Sequence, residues 1–229
     1  MNAPTPPRDN RTAILLSAER LFAEHGLHGA SLRQISDAAK QKNASAIQYH
    51  FGSRDQLVEA VFAHRMAGIN PRRQARLDAA RAAGTLGDIR TLVDIMVWPL
   101  AEELTPRADG NHYLQFLNRA SHERLMALEL TPPDMMTAWF DVVEHVRDAV
   151  RYLPDQVAEM RILLATEQCV SALAVLEATR AGHSREFGFK IETLIDMIAA
   201  GISAPVSHRT LDQLDPAAKA AVQEKVGSS

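Results

Sequence analysis

The sequence has few of the residues and segments on which many protein functions depend. Its single cysteine, Cys169, excludes an internal disulfide and leaves no cysteine spacing typical of a metal site, so we expect a small buried residue there. No apolar run approaches the roughly 20 residues that span a bilayer. The first ten residues, MNAPTPPRDN, lack the apolar segment of a secretion signal and resemble a flexible arm. We therefore expect a soluble cytoplasmic protein.

Catalytic motifs are also absent from the sequence. It contains no Gly-x-Ser-x-Gly elbow, no His-Glu-x-x-His motif, no phosphate-binding loop and no dinucleotide fingerprint. Asp141 and His145 are four residues apart and could share a metal ion on one helix face, although such a pair more often forms a surface contact. We therefore expect neither an enzyme nor a bound cofactor or metal.

The charges are distributed unevenly along the chain. The composition, 46% hydrophobic and 23% charged, is ordinary for a globular protein. Residues 1–81 hold 12 Lys or Arg against 7 Asp or Glu, whereas residues 82–229 hold 13 against 21, which gives the net charge of −3. A basic N-terminal part on an acidic body is typical of a protein that meets a polyanion. A solvated helix face explains the same charges equally well.

Apolar residues recur at spacings of three and four along nearly the whole chain, which predicts an all-α protein. In the N-terminal part we expect helices over 10–25, 32–39, 44–50 and 54–70. Asn70 and Pro71 resemble a helix N-cap and first helical residue, so we expect a kink or a break there, followed by a separate basic helix. Further helices are predicted over 88–97, 109–128, 133–152, 155–181 and 184–202, with a break at Pro99 and a small helix capped by Asp215 and Pro216.

The second and third helices, with the polar link between them, have the layout of a helix-turn-helix. Ser31 with Gln34, and Ser53 with Gln56, match the capping-box pattern at the starts of helices 2 and 4. Ile47 and Phe51 lie four apart and can both enter a small core, whose other predicted members are Ile14, Phe22, Leu32 and Ile35. Ser45, Gln48 and Tyr49 lie on the opposite arc, which is free of acid and suited to phosphates or base edges.

Residues 11 to about 65 resemble the DNA-binding head of the TetR family of transcriptional regulators. The resemblance rests on motif residues that occur in the family's order: Phe22, Gly26, Ser31, Ile35 with Ser36, His50 with Phe51, and Arg54. It implies a three-helix helix-turn-helix head joined to a larger helical ligand-binding and dimerisation domain, about nine helices in all.

The resemblance also implies which side chains touch DNA. Phosphate contacts would come from Ser31, from Tyr49 or His50, and from Arg54. Base contacts would be drawn from Lys42, Asn43, Ser45 and Gln48, with Arg33 at the rim. The chain departs from the family pattern in two places: the turn is Gln41, Lys42 and Asn43, so Asn43 or a neighbour takes a positive φ, and Gln48 occupies the usual tyrosine position. Either Tyr49 or Gln48 makes that contact, and His50 either reaches the groove or caps the turn before Gly52.

The body of the chain is rich in methionine and rings, which line adaptable apolar pockets but also fill ordinary cores. The candidate ligand-binding residues are Met96, Trp98, His112, Phe116, Arg119, His122, Met126, Met136, Trp139 and Phe140. They indicate a largely apolar ligand with one polar handle, and an acidic or acylated ligand would suit Arg119.

The two long helices over 155–181 and 184–202 are apolar around most of their circumference, which favours a four-helix interface with a second copy over burial inside a monomer. We expect a flexible arm at 1–9, the DNA-binding domain at 10–67, the ligand-binding and dimerisation domain at 68–203 and a tail at 204–229. The predicted function is a homodimeric, ligand-responsive repressor of a near-palindromic operator. An activator, a ligand-independent regulator and a helical dimer that binds proteins through its acidic body remain alternatives.

Overall fold

The fold is a set of packed helices. A computed structural model of the protein describes residues 10–41, 45–104, 111–124, 133–179 and 185–215, and over these ranges it contains ten α-helices and no strand. The helices are α1 (Asn10–His25), α2 (Leu32–Ala38), α3 (Ser45–Phe51), α4 (Arg54–Ala83), α5 (Ile89–Ala101), α6 (Tyr113–Arg124), α7 (Thr137–Ala149), α8 (Asp155–Ala178), α9 (Phe187–Ser203) and α10 (His208–Leu211). The all-α prediction is confirmed.

The N-terminal helices form where the sequence predicts them. Both capping boxes are present. Ser31 Oγ accepts a hydrogen bond from the backbone N–H of Gln34 at 3.1 Å, and Ser53 Oγ accepts one from the backbone N–H of Gln56 at 3.1 Å. Each glutamine side chain in turn accepts from the backbone N–H of its serine, at 2.8 and 3.0 Å. These bonds satisfy amides that have no partner inside a helix, and so they fix where α2 and α4 begin.

The small N-terminal core gathers side chains from α1 to α4. The predicted members Ile14, Phe22, Ile35, Ile47 and Phe51 are all buried, and Leu32 is half-buried against them. Among the described residues, the one non-glycine with a positive φ is Lys40, at 54°. The turn between α2 and α3 therefore enters the left-handed region just before Gln41. Lys42 and Asn43, where a positive φ was expected at Asn43 or a neighbour, lie outside the described residues.

Neither Pro71 nor Pro99 interrupts its helix, so the separate helix expected from Pro71 and the break expected at Pro99 are wrong. α4 runs without interruption for 30 residues through Asn70 and Pro71, and α5 continues through Pro99 to Ala101. A proline inside a helix removes one backbone hydrogen bond, but Ile69, Arg73 and Leu77 are buried at intervals of four on either side of Pro71. Tertiary packing along this stripe holds α4 together across the missing bond. The predicted domain boundary at residue 67 therefore falls inside a continuous helix.

The remaining helices are shorter than predicted at their ends. A single 3₁₀ turn, Pro133–Met135, precedes α7, which ends at Ala149, and α9 begins only at Phe187. The short α10 was not predicted, and the helix expected after Asp215 lies outside the described residues.

A buried ion network joins the N-terminal helices to the body. Arg65 of α4 makes two hydrogen bonds of 2.6 Å to the carboxylate of Glu19 on α1, and a third of 3.1 Å to Glu103. Glu103 also accepts from Arg72 at 2.5 Å, and the backbone N–H of His112 donates to Glu19 at 3.2 Å. Burial alone disfavours the charged guanidinium, but the carboxylates of Glu19 and Glu103 outweigh it and raise the pKa of Arg65.

A second buried carboxylate caps a helix from outside. Glu177 of α8 accepts from the backbone N–H groups of Leu114 and Gln115 at 3.1 and 2.9 Å, so it satisfies two free amides in the first turn of α6. Burial raises the pKa of Glu177 from 4.5 to about 7, against the lowering effect of these two bonds.

This carboxylate should make stability depend on pH. Because its pKa is higher in the folded protein than in the unfolded chain, its contribution is complete below about pH 4.5 and is lost as pH rises through about 7. Relative to Glu177→Gln, which does not titrate, the free energy of unfolding of the wild type should fall by up to about 3 kcal/mol over that window. Urea unfolding of both proteins at several pH values measures the difference, and a flat difference between pH 4.5 and 7 would contradict the prediction.

Candidate DNA-binding surface and internal cavity

The short helix α3 has one buried side and one exposed side. Ile47 and Phe51 are 1% and 7% exposed, whereas Gln48, Tyr49 and His50 are exposed, Tyr49 to 86%. The Tyr49 ring meets the edge of the His50 ring, with ring centroids 5.2 Å apart, and the Arg11 guanidinium lies 5.2 Å from the centroid of the Phe51 ring. α3 therefore presents amide, phenol and imidazole groups to solvent from a helix that its apolar side anchors.

Arg54, predicted to bind phosphate, also has a clear structural partner. Its Nη1 donates to the backbone carbonyls of Leu27 and Ala30 at 2.6 and 2.5 Å, and the side chain is half-buried. These bonds tie the start of α4 to the loop that leads into α2. Arg54 thereby positions Ser31 at the N-terminus of α2, where the helix dipole and its amides favour an anion.

The other predicted DNA contacts are placed only in part. Ser31 and Arg33 are exposed at the start of α2. Lys42 and Asn43 lie outside the described residues, as does the side chain of Ser45. Every predicted DNA contact whose side chain is described therefore reaches the surface of the N-terminal domain, with Arg54 half-buried.

Side chains of α4 to α8 line a cavity of about 560 Å³ in the body. Four of the predicted ligand residues border it: Met96, Met136, Trp139 and Phe140. Further apolar walls come from residues that were not among the predicted ligand contacts, namely Phe62, Met66, Leu100, Leu117, Val143, Ile162, Leu163 and Val170. The volume lies within the range of about 300–1,000 Å³ that is usual for small-molecule sites.

Two polar side chains that border this cavity have buried atoms without a hydrogen-bond partner among the described residues. Arg73 of α4 is 2% exposed, and its Nε and Nη1 atoms are buried with no partner among the described residues. The hydroxyl of Tyr113, from α6, is buried and unpartnered in the same sense. The guanidinium carbon of Arg73 lies 5.3 Å from the centroid of the Trp139 ring. This cation–π contact is weak. The cavity therefore has a polar end next to an apolar chamber.

Five predicted ligand residues lie elsewhere. Phe116 is fully buried in a ring cluster with Phe22, Phe62 and Tyr113, where its centroid lies 4.7 Å from that of Phe62. Trp98 packs edge-on against Phe187, and His112 is half-buried beside the ion network, where burial lowers its pKa. Arg119 and His122 are exposed and border a separate depression of about 410 Å³ between α6 and α8. Met126 lies outside the described residues.

The sequence pattern indicates that Arg73 faces the core. Arg73 is nevertheless not among the predicted ligand-binding residues. Arg73 lies in the segment PRRQARLDAARAA, which we interpreted only as a basic helix. Ile69, Arg73 and Leu77 nevertheless recur at spacings of four, so an arginine stands in the middle of an apolar stripe. The position of this arginine in the stripe indicates that it lies on the buried side of the helix.

The exposed part of the cavity lining, which we call its mouth, comes from α7 and α8 and carries charged side chains. Glu144 and Glu159 are exposed there, Glu167 is half-buried, and Arg147 is exposed on the same side. Cys169 is buried in the inner wall, where burial raises the pKa of its thiol to about 12. The thiol is therefore un-ionised at neutral pH, in keeping with the small buried residue that the sequence predicts.

Metal binding and membrane insertion gain no support from the described part of the chain. No group of three or more His, Cys, Asp or Glu side chains in it is arranged to hold a metal ion, so Asp141 and His145 gain no further ligand there. No helix within the described ranges combines the length and the apolar character needed to cross a membrane.

Comparisons with known proteins agree with the geometry of the N-terminal helices. The family model for bacterial regulatory proteins of the tetR family matches residues 14–61. The HTH-type transcriptional repressor AcnR of Corynebacterium efficiens is 38% identical over 90 residues, 39% of this chain and 40% of that protein. The repressor KstR2 of Mycolicibacterium smegmatis is 33% identical over 79 residues, 34% of this chain and 38% of that protein. The alignments thus span about 40% of the length of these curated relatives.

Similarity of fold extends over most of the chain. A crystal structure from Shewanella sp. PV-4, described as a putative tetR family transcription regulator, covers 83% of this chain and 98% of its own, with a TM-score of 0.56 and 20% identity. A mutant of the HlyIIR protein covers 89% of this chain and 100% of its own, with a TM-score of 0.51 and 15% identity. The arrangement of helices is therefore shared well beyond the residues that the family model matches. Residues 14–61 of this chain thus match the TetR family of bacterial regulatory proteins, and the similarity of fold extends over most of the chain.

Proposed function

We propose that the protein is a transcriptional repressor that binds a near-palindromic DNA operator as a homodimer and is released from it by a small molecule. The observation that carries this proposal is α3, which turns Gln48, Tyr49 and His50 to solvent while Ile47 and Phe51 anchor it in the N-terminal core. In a helix-turn-helix the second helix enters the major groove and its exposed side chains meet base edges and phosphates. A repressor working on chromosomal DNA would act in the cytoplasm.

Electrostatics support the same role for the N-terminal part. It carries a surplus of basic residues, and Arg11, Arg33 and Lys40 are exposed on it. Cations that neutralise phosphates release condensed counterions, so affinity should fall steeply as salt rises. The exposed end of α2 at Ser31 adds backbone amides and the positive end of a helix dipole.

The proposed dimer surface consists of Met160, Leu164 and Val175 on α8 and Phe189 and Met197 on α9. Each of these large apolar side chains is more than half exposed. Met160, Leu164 and Val175 recur at spacings of four and eleven, which brings them to one face of α8. Other apolar residues of the same helices, such as Ile162 and Ile195, are buried, so both helices are apolar on two sides. A second copy of the chain that covers this face would remove the exposed apolar area from water.

A charge in this surface should separate the subunits. Leu164→Asp is expected to leave each subunit folded, because the side chain is 58% exposed, but to place a carboxylate against an apolar partner face. Light scattering should give about twice 25.2 kDa for the wild type and 25.2 kDa for the variant. Tyr49→Asp, an equally drastic change at an exposed ring outside the surface, serves as the control and should remain dimeric. A dimeric Leu164→Asp would place the interface elsewhere.

α4 offers a physical connection between the cavity and the DNA-binding surface. Its N-terminal half contributes Leu57, Val58 and Val61 to the core beneath α3, and the same helix carries Phe62, Met66 and Arg73 along the cavity. A ligand that binds one position of α4 better than another would change the separation of the two heads in a dimer. Operator half-sites lie about 34–36 Å apart, so a changed separation would lower DNA affinity.

A gel-shift experiment tests the proposal. The purified protein should bind specifically to a DNA fragment that flanks its own gene. The logarithm of the binding constant should fall linearly with the logarithm of the salt concentration. A reporter placed behind that fragment should be less active when the protein is present. Specific binding with increased reporter activity would indicate the alternative of an activator. If no fragment is bound specifically and no salt dependence is found, the result would support the alternative of a helical dimer that binds proteins through its acidic body.

The exposed ring of α3 should contribute directly to DNA binding. Tyr49→Ala is expected to weaken operator binding about tenfold or more, which corresponds to about 1.4 kcal/mol. Because the ring is 86% exposed, the free energy of unfolding should change by less than about 0.5 kcal/mol. Tyr152→Ala, which removes an exposed tyrosine of the body, should leave DNA affinity unchanged. Equal affinities for Tyr49→Ala and the wild type would remove Tyr49 from the contact surface.

Arg54→Ala requires a different interpretation from Tyr49→Ala. This change also deprives the carbonyls of Leu27 and Ala30 of their donor, so it should loosen the loop before α2. A loss of DNA affinity there should therefore be accompanied by a loss of stability, and the two variants together distinguish contact from positioning.

A further inference from the structure

The polar end of the cavity defines the chemistry of what could bind there. Arg73 is buried at the cavity wall, and its Nε and Nη1 atoms have no hydrogen-bond partner among the described residues. Burial lowers the pKa of Arg73 to about 10, so the guanidinium is still charged at neutral pH. A buried charge without a partner is costly, and a carboxylate is the group whose two oxygens fit the guanidinium fork.

A second donor stands at the same cavity. The hydroxyl of Tyr113 is buried and lacks a partner in the described part of the chain, and the Tyr113 ring borders the cavity with Arg73. Both groups donate hydrogen bonds, and burial raises the pKa of the Tyr113 hydroxyl, so that it keeps its proton. The inner thiol of Cys169 is un-ionised and does not compete with the anion for Arg73.

The rest of the cavity limits the ligand further. Its walls are apolar and aromatic, with Met66, Met96 and Trp139 among them. Among the described residues, its mouth carries three carboxylates, Glu144, Glu159 and Glu167, against one guanidinium, that of Arg147. A second negative charge on the ligand would have to lie near this acidic mouth, where like charges repel. The arrangement favours one buried anionic group on an apolar body.

We propose that the effector is an apolar monocarboxylate, whose carboxylate binds Arg73 and the Tyr113 hydroxyl beside Trp139 while its apolar part lies against the apolar walls of the cavity. This inference rests on the proposed function, because it names the ligand class of the proposed ligand-responsive site. In every other respect it depends only on the cavity and on its two unpartnered donors.

Trp139 supplies a readout that does not require DNA. The chain has two tryptophans, and Trp98 lies away from the cavity against Phe187. In a Trp98→Phe background, the fluorescence of Trp139 therefore reports occupancy of the cavity. The probes are decanoate, 4-phenylbutyrate and cinnamate, each below its aggregation limit, together with the matched alcohols and with decanedioate as a dianion.

At least one of the three acids should give a saturable change and bind at least tenfold more tightly than its alcohol. Arg73→Met should weaken that acid at least tenfold and leave the affinity for the alcohol unchanged, and Tyr113→Phe should weaken the acid by a smaller factor. Decanedioate should bind less tightly than decanoate. Circular dichroism of each variant should match that of the parent protein.

Three results would each overturn the proposal: no saturable response to any of the acids, an alcohol that binds as tightly as its acid, or an acid whose affinity survives both substitutions. Tighter binding of decanedioate would overturn the limit to one charge. The gel shift is independent of these measurements. If the protein binds an acid but not DNA, this inference holds and the repressor function is wrong. If it binds DNA but none of the acids, the repressor function holds and this inference is wrong.

Discussion

Replacing Arg65 with methionine is expected to lower the free energy of unfolding by about 3–5 kcal/mol. The guanidinium is buried between the carboxylates of Glu19 and Glu103, which come from α1 and from the 3₁₀ turn Glu102–Leu104 after α5. Removing it leaves two buried negative charges, of which Glu19 loses both of its short bonds to Arg65. Because Glu19 belongs to the N-terminal helices and Glu103 to the body, the loss should also weaken their association.

Urea unfolding of the wild type and of Arg65→Met measures this effect. Arg20→Met is the matched control, because Arg20 forms an ion pair with Glu24 on the surface of α1, and such exposed pairs contribute little. Its free energy of unfolding should stay within about 0.5 kcal/mol of the wild type. If Arg65→Met were no less stable than Arg20→Met, the network would have no role in holding the two parts together.

Arg73 lies eight residues after Arg65 on the same helix. Replacing it with methionine should change the free energy of unfolding in the opposite direction. Arg73 has a charge buried to the same degree, but no carboxylate is hydrogen-bonded to it among the described residues. Its position over the Trp139 ring offsets only part of the cost of burial. Methionine fills a similar space without a charge, so the free energy of unfolding of the ligand-free protein should rise by about 1–3 kcal/mol.

The control for this second change is Arg73→Lys, which keeps the charge but loses the planar fork. It should bring no gain in stability, since the cost of burying an unpaired cation remains. Thermal and urea unfolding of the three proteins without ligand give the comparison. A clear loss of stability in Arg73→Met would mean that the arginine supports the fold, and the ligand assignment would lose its main physical reason.

Local rules were enough to predict the N-terminal domain from sequence. The range of α1 was predicted as 10–25, both serine capping boxes form, and the division of α3 into buried Ile47 and Phe51 and exposed Gln48 and Tyr49 holds. Each of these features depends on residues within about four positions of one another. Helix caps and helical periodicity are interactions at that range, so a single sequence contains them.

The failures arose where distant contacts outweigh local preference. Pro71 and Pro99 were expected to interrupt helices, yet packing on the body keeps both helices continuous. The ligand role of Arg119 stays a prediction, since this residue is exposed and borders the depression between α6 and α8 and not the cavity. Arg73 was overlooked because its surroundings consist of residues from α5 to α8, far away in the chain.

The continuity of α4 has a mechanical consequence. Pro71 removes one backbone hydrogen bond two residues before Arg73, so a bend of α4 would cost least there and Pro71 would act as its hinge. From there to Arg54 the helix is an arm of about 26 Å, at 1.5 Å per residue. A tilt of only about 5° at the hinge would swing the Arg54 end by about 2 Å, and with it the loop that Arg54 holds through Leu27 and Ala30. The displacement grows with distance from Pro71, so it is smaller at Met66 and Phe62 on the cavity wall than at the Arg54 end beside α3.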